Sequence, residues 1–198
     1  GTFVAIGSDA MESLTTVGVN DASNGTNNIA IGHLALQNLT SARFNIAIGN
    51  QALNTAAASN RFNTALGWGA GRLMTGTTEA SANSTGNTFL GYAAGEYCTT
   101  CYTNTVVGYL AYAYPTNQNY NSTGGENTLV GVKAFQHAGT GNQNSVLGFE
   151  AMTQMRTGSG NTVAGYRAML GQLDGSNNPL NTTGGTENVA IGLEAYIA

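Results

Sequence analysis

One motif, Asn-x-x-(Ile/Leu/Val)-Gly-x-x-Ala, recurs ten times along the 198 residues, and this recurrence constrains the fold more than any other feature. Its glycines are Gly7, Gly32, Gly49, Gly67, Gly91, Gly108, Gly131, Gly148, Gly165 and Gly192. Only the first copy, Phe3-Val4-Ala5-Ile6-Gly7, lacks the Asn, and Ala164 stands for the larger aliphatic in the ninth. A motif repeated this often describes a fold built by stacking, not an active site. Successive glycines are separated by 25, 17, 18, 24, 17, 23, 17, 17 and 27 residues, so the unit is one of 17 residues lengthened at four places. The extra residues always fall between the Ala and the next Asn, in the connections 12–26, 71–86, 112–126 and 170–187. A fixed strand, a fixed corner and one connection free to grow predict an all-β fold, a parallel β-solenoid or β-roll of ten coils. At a strand spacing of about 4.8 Å, ten coils make a rod of about 50 Å.

The repeats leave no unpatterned stretch, so residues 1–198 read as one continuous array. Lys plus Arg number 6 and Asp plus Glu 10, far below the roughly 25% charged residues of ordinary globular proteins. The net charge of -4 argues against a nucleic-acid partner, which needs clustered cations. No run of about 20 apolar residues and no signal-peptide pattern is present, which argues against membrane insertion. The first motif starts at residue 3 and neither end carries a distinct polar cap, so the stack is expected to continue, in a longer fibre or in another copy.

Within a strand, the first and third residues after the Asn share one face and the second lies on the other. Here both faces are apolar. The expectation is that the third position fills the coil interior. The second, which includes Phe89 and Val106, then packs on neighbouring chains, since a monomer would leave it polar. The glycine is expected at a corner that requires positive φ or close backbone approach. Asn beside a turn tolerates left-handed backbone and can form a ladder between coils.

The phrases Asn28-Ile29-Ala30-Ile31-Gly32 and Asn188-Val189-Ala190-Ile191-Gly192 resemble the head repeats of trimeric autotransporter adhesins, the YadA-like parallel β-rolls. They are equally similar to the Asn-Thr-Ala-Ile-Gly-Tyr-x-Ala arrays of phage tail fibres. The resemblance covers essentially the whole chain. It implies a left-handed roll, three associated chains and a stiff, non-enzymatic fibre that is extracellular, on a cell surface or on a virion. The 17-residue unit is longer than that of the adhesin heads, and no coiled-coil neck or anchor accompanies it.

Few residues offer chemistry. Cys98-Thr99-Thr100-Cys101 can be a local disulfide bracing a corner, a pair of free thiols, or half of a metal or redox site. A redox motif would need a βαβ context, and zinc needs four ligands, whereas His33 and His137 lie in other coils. The residue after the motif glycine is often aromatic (Trp68, Tyr92, Tyr109, Phe149, Tyr166), which is either structural filling or a platform for glycans. No Ser-His-Asp set or phosphate loop is arguable, and the carboxylates are scattered, so neither catalysis nor a cofactor is expected. Five Asn-x-Ser/Thr sequons, at Asn24, Asn38, Asn83, Asn121 and Asn181, are what the Asn, Ser and Thr content produces by chance. Receptor contact, with a host-surface glycan or protein, is expected in the enlarged connections, which carry Arg72, Glu79, Tyr112, Tyr114, Tyr120 and Glu126. Two alternatives to an adhesin remain: a filament subunit stacking head to tail, and an ice-binding solenoid. The latter needs an exposed row of Thr such as Thr64, Thr88, Thr105, Thr128 and Thr162, which Val4, Ile29, Ile46 and Val189 interrupt, so that row is expected inside.

Overall fold

Each motif makes one short strand, because β-branched and aliphatic residues follow the Asn and a glycine breaks the run. The computed structural model describes residues 2–14, 26–40, 42–55, 60–75, 85–113, 122–136, 139–153, 157–171 and 185–197. Its strands are β1 (Phe3–Ile6), β2 (Asn28–Ile31), β3 (Ile46–Ile48), β4 (Thr64–Leu66), β5 (Thr88–Leu90), β6 (Thr105–Val107), β7 (Thr128–Val130), β8 (Ser145–Leu147), β9 (Met152–Thr153), β10 (Thr162–Ala164), β11 (Met169–Leu170), β12 (Val189–Ile191) and β13 (Tyr196–Ile197). The ten motif strands form one parallel sheet in the order β1-β2-β3-β4-β5-β6-β7-β8-β10-β12, and β9, β11 and β13 form a second parallel sheet. Among the described residues there is no helix. Every motif position lies on its own equivalent in the next coil, as Leu66 does on Leu90. This is the all-β, parallel architecture of a solenoid or roll.

The Asn residues hold that register. Asn104 Oδ1 accepts both the backbone N–H and the side-chain amide of Asn127, each at 2.9 Å. The same pair of bonds joins every motif Asn to the next from Asn28 to Asn188. The remaining amide proton is used across the coil, for instance from Asn104 to the Gly124 carbonyl at 3.0 Å. Buried side-chain amides are thus paired between coils without water.

The corner glycine meets both of its expected requirements. Gly148 has φ 134° and a Cβ there would collide with the carbonyl oxygen of Gly165, in the next coil. Two further left-handed rows were not expected. The second residue after every motif glycine has φ between 47° and 61°, and non-glycine residues such as Leu34, Lys133 and Arg167 occupy it. The residue before each Asn is left-handed as well, including Phe44 and Phe62 at 60° and 59°. Left-handed backbone costs an L-residue about 1 kcal/mol or more. Bonds between coils fix it nonetheless: Lys133 N–H donates to Tyr109 O at 2.9 Å, and Thr103 N–H to Thr85 O at 2.8 Å.

The core lies between the inner face of the large sheet and the chain just beyond each corner. The inner face is supplied by the second motif position: Ala30, Ala47, Ala65, Phe89, Val106, Leu129, Val146, Val163 and Ala190 are all buried. Opposite them stand the motif alanines and the residues that follow, including Leu36, Leu53, Tyr112, Phe135, Met152 and Met169. The two faces are therefore reversed from the sequence-based expectation. The third position points outward instead, with Ile6, Leu66, Leu90, Leu147 and Ile191 all exposed. Alternation explains the result: the buried Asn and the second position share a face, so wherever the ladder lies, the second position follows.

Volumes across the core are matched coil by coil. Phe89 is the only aromatic residue at the second position, and Gly71 and Gly95 stand where other coils place Leu, Met, Phe or Tyr. A Cβ on Gly71 would come within 2.8 Å of the Phe89 ring, and one on Gly95 would overlap that ring. Leu36 and Leu53 adopt φ 51° and 48° at the equivalent position, so a leucine tolerates that backbone. We therefore expect Phe89→Ala to cost about 3–5 kcal/mol in denaturant unfolding, as a large aromatic truncation in a core does. Gly95→Leu alone should also destabilise, whereas the double variant should be more stable than Phe89→Ala; simple additivity would contradict the matching.

Candidate functional site

The sheet presents a second face to the outside, apolar in two of its rows and mixed in the third. Its rows are the first motif position, the third, and the residue after the glycine. The first row runs Val4, Ile29, Ile46, Thr64, Thr88, Thr105, Thr128, Ser145, Thr162, Val189. Thr64 to Thr162 are exposed, contrary to the expectation of an interior row, because this position faces opposite to the buried Asn. The third row adds aliphatic side chains, of which Ile6, Leu66, Leu90, Leu147 and Ile191 are exposed and Ile31, Ile48, Val107, Val130 and Ala164 half-buried.

The aromatic row is also outward. Trp68, Tyr92 and Tyr109 stack face to face with centroids 4.8 and 5.1 Å apart, and Phe149 stacks on Tyr166 at 5.4 Å. They are 38–47% exposed, so they do not fill the interior. Tyr92 is not an open glycan platform, because a sugar packs on a ring face and this ring has a neighbour on each side.

Around the corners, polar side chains pair along the axis. Glu12 accepts from Gln37 at 2.7 Å, and Gln37 accepts from Asn54 at 3.1 Å. Arg72 Nε donates to Glu96 at 2.8 Å, and Arg167 Nε donates to Glu150 at 2.7 Å. The Glu150 hydrogen bond, with its charge, raises the proton affinity of the Arg167 guanidinium above the usual value. Among the described residues no group of three or more His, Cys, Asp and Glu side chains is gathered as a metal would need; His33 and Asp9 approach to 3.8 Å as an exposed pair.

The expected receptor contacts are not brought together. Arg72 is tied to Glu96, itself buried. Glu126 is exposed and accepts from Gln143 at 2.8 Å. Tyr112 is a correction: it is fully buried against Phe135, with ring centroids 5.8 Å apart, so it is core and not a contact loop. Burial pushes its hydroxyl well above the ordinary tyrosine range, although Gly124 and Ser122 lie beside it. It occupies the core position that Leu36 and Leu53 fill in earlier coils, four residues past the glycine, a spacing that was available from sequence. Glu79, Tyr114, Tyr120 and His137 lie outside the described residues, as do four of the five sequons.

Cys98 and Cys101 are joined by a disulfide with Cα atoms 5.4 Å apart. Both are fully buried, and the Cys101 carbonyl accepts the Asn87 side-chain amide at 3.0 Å. The bridge therefore fixes the return of a coil onto the Asn ladder. Among the described residues no helix is long and apolar enough to cross a membrane.

Comparison of the chain with family models, curated proteins and solved structures returns no match.

Burial of both sulfurs makes the bridge inaccessible in the folded protein. Native protein treated with a mild reductant and a thiol reagent should remain unlabelled, with both thiols appearing only after unfolding. Rapid labelling of Cys98 or Cys101 under native conditions would place the pair at the surface.

Proposed function

We propose that the chain is a structural, non-enzymatic segment of an extracellular or virion-borne fibre, an adhesin head or shaft built as a self-associating β-roll. The observation that carries this reading is the outer apolar face of the strand ladder. It extends about 50 Å along the axis and about 15 Å across, on the order of 750 Å², of which the row of Thr and Ser is the polar part and the other two rows the larger, apolar part. Monomeric proteins rarely expose apolar patches beyond a few hundred Å². One side of a standard stable protein interface covers about 800 Å², close to this value.

The partner that fits is another copy of the chain. Its face has the same rows at the same spacing of about 4.8 Å, so ridges on one copy can run along grooves on another. Three copies around a common axis, and a left-handed roll, are what the adhesin and tail-fibre resemblance adds. The buried disulfide suits folding in an oxidising compartment outside the cytosol. Enlarged connections then decorate a rigid scaffold, where a host glycan or protein would be met. Head-to-tail stacking of coils would use the same ladder and extend the rod.

A second reading is favoured by one observation, the outward row Thr64, Thr88, Thr105, Thr128, Ser145 and Thr162 in register on six successive coils. Such a row is the expected basis of an ice-binding surface. Leucine and valine occupy the neighbouring third row, however, and aromatic edges flank it, so association with a copy accounts for more of the face.

Leu90→Asp combined with Leu147→Asp places two charges on that face without touching the core. Light scattering should give a multiple of the 20.3 kDa chain mass for the parent and one chain mass for the variant, with unchanged circular dichroism. A parent that is monomeric at tens of micromolar, yet shows thermal hysteresis and ice shaping, would overturn the fibre reading in favour of ice.

A further inference from the structure

Glycine interrupts one outer row where the backbone does not call for it. The residue before each motif Asn is left-handed in nine coils, and seven of these carry a side chain in that conformation, among them Phe62 at 59°, Thr103 at 50° and Gln143 at 57°. The other two are Gly86 and Gly160, at 68° and 69°. A Cβ added at either would touch nothing nearer than 3.4 Å, which is Thr103 Cγ2 in one case and Glu187 Cγ in the other. Both glycines are therefore gaps in a row that is otherwise filled.

The first gap has a ring for its floor. Phe62 stacks on Phe44 with planes within 2° and centroids 5.1 Å apart, and it is 60% exposed. Its far face looks along the row to Gly86, and Thr103 closes the gap one coil further on. Equivalent residues of successive coils are about 4.8 Å apart, so Phe62 and Thr103 are separated by two spacings, the room that one flat ring needs.

Such rings lie on the opposite margin of the same face. The strand enters the face at the residue before the Asn and leaves it at the residue after the Gly. In the two coils that have gaps the leaving residue is a tyrosine, Tyr92 or Tyr166, and both are exposed. The strand between the margins spans roughly 15–20 Å, so neither tyrosine fills the gap of its own coil.

A neighbouring copy brings the margins together. When copies pack these faces around an axis parallel to the rod, in a pair or a ring, rotation sets the entering margin of one against the leaving margin of the next at the same height. A two-fold axis across the rod would instead set like margins against each other. The stack of Trp68, Tyr92 and Tyr109 and the stack of Phe44 and Phe62 both run along the rod, so a ring from one copy can continue the stack of another. The outer face between the margins, on the order of 750 Å², is close to what one side of a standard interface covers.

We infer that copies of the chain associate in parallel and in coil register, with Tyr92 of one seated between Phe62 and Thr103 of the next, over Gly86, and Tyr166 seated at Gly160. This rests on the self-associating reading proposed above and gives it an orientation and a register.

The test has two parts. Sedimentation over a dilution series compares the parent with Gly86→Phe, Gly160→Phe, and the double variant Gly86→Phe/Tyr92→Ala, with circular dichroism recorded on each. Phe44 and Phe62 already adopt the backbone that a ring at residue 86 needs, so the fold is expected to survive; should it not, Gly160→Phe carries the same test. Filling a gap should weaken association about tenfold or more, and removing Tyr92 as well should restore part of it, since the new ring takes the place of the old. In the second part Gly86→Cys and Tyr92→Cys proteins are mixed and treated with a short bis-maleimide, the native cysteines being held in their buried bridge. Cross-linking should be at least about tenfold faster than in either protein alone or in a mixture of Gly86→Cys with Phe149→Cys, three coils away. A monomeric parent overturns both the seating and the self-association on which it rests. A parent that associates while the filled variants associate as well, or a cross-link that forms as fast with Phe149→Cys or in Gly86→Cys alone, overturns the seating and leaves the fibre reading in place.

Discussion

The hydrogen bond from one buried Asn to the next is the interaction on which the rest of the structure depends. Each Oδ1 takes two donors from the following coil, and a buried amide group left unpaired costs about 1–3 kcal/mol. Slippage of one coil by a single residue would turn its Asn and its second-position side chain outward together and break the ladder on both sides. Register is therefore set at a single residue per coil, and the close contact between corner glycines sets it a second time. Insertions placed away from these points leave both contacts intact. Loop closure entropy grows only slowly with length, so lengthening is cheap. The disulfide follows the same logic: it braces the segment that delivers the Cys101 carbonyl to Asn87.

Much of this architecture was legible in the sequence because each coil repeats the residues that define it. Strand, corner, ladder and coil number follow from Asn, Gly and their spacing. The assignment of inside and outside was not legible from hydrophobicity, since both faces are apolar; it lay in the parity of the Asn, which must be inside to be paired without water. The left-handed rows were hidden for a different reason. Leu34, Lys133 and Arg167 share a conformation but no chemistry, because bonds between coils impose it and the side chain does not. Phe89 facing Gly71 and Gly95 was equally invisible, since volume matching couples residues in separate coils. Tyr112 was misplaced because it sits where a connection starts to lengthen, one residue past a motif alanine, and the core continues through it.

A strand with two apolar faces gives the coil one face that it seals itself and one that it cannot. The inner face needs small side chains, mostly alanine and valine, because the interior is thin, while the outer face carries the larger leucines, isoleucines and rings. Stacking of like residues also shapes what that surface can do. Rings in a continuous row cover one another, which removes Tyr92 as a platform, and a row that ends at a glycine leaves Phe62 open. The same regularity that fixes the fold thus creates distinctive surface only where it is interrupted.

The central claim is that neighbouring residues of one strand face a self-sealed interior and an interface shared with other copies. Val106 and Val107 allow a direct comparison, being adjacent valines of β6 that point to opposite faces. The measurement is the rate of thiol labelling of Val106→Cys and Val107→Cys as the protein is diluted, with the native cysteines held silent in their disulfide. Val106→Cys is expected to stay protected at every concentration short of unfolding, and Val107→Cys to be protected when concentrated and to label rapidly once copies separate. Labelling of Val107→Cys at the free-thiol rate at all concentrations would contradict the shared interface, and faster labelling of Val106→Cys would contradict the assignment of the faces.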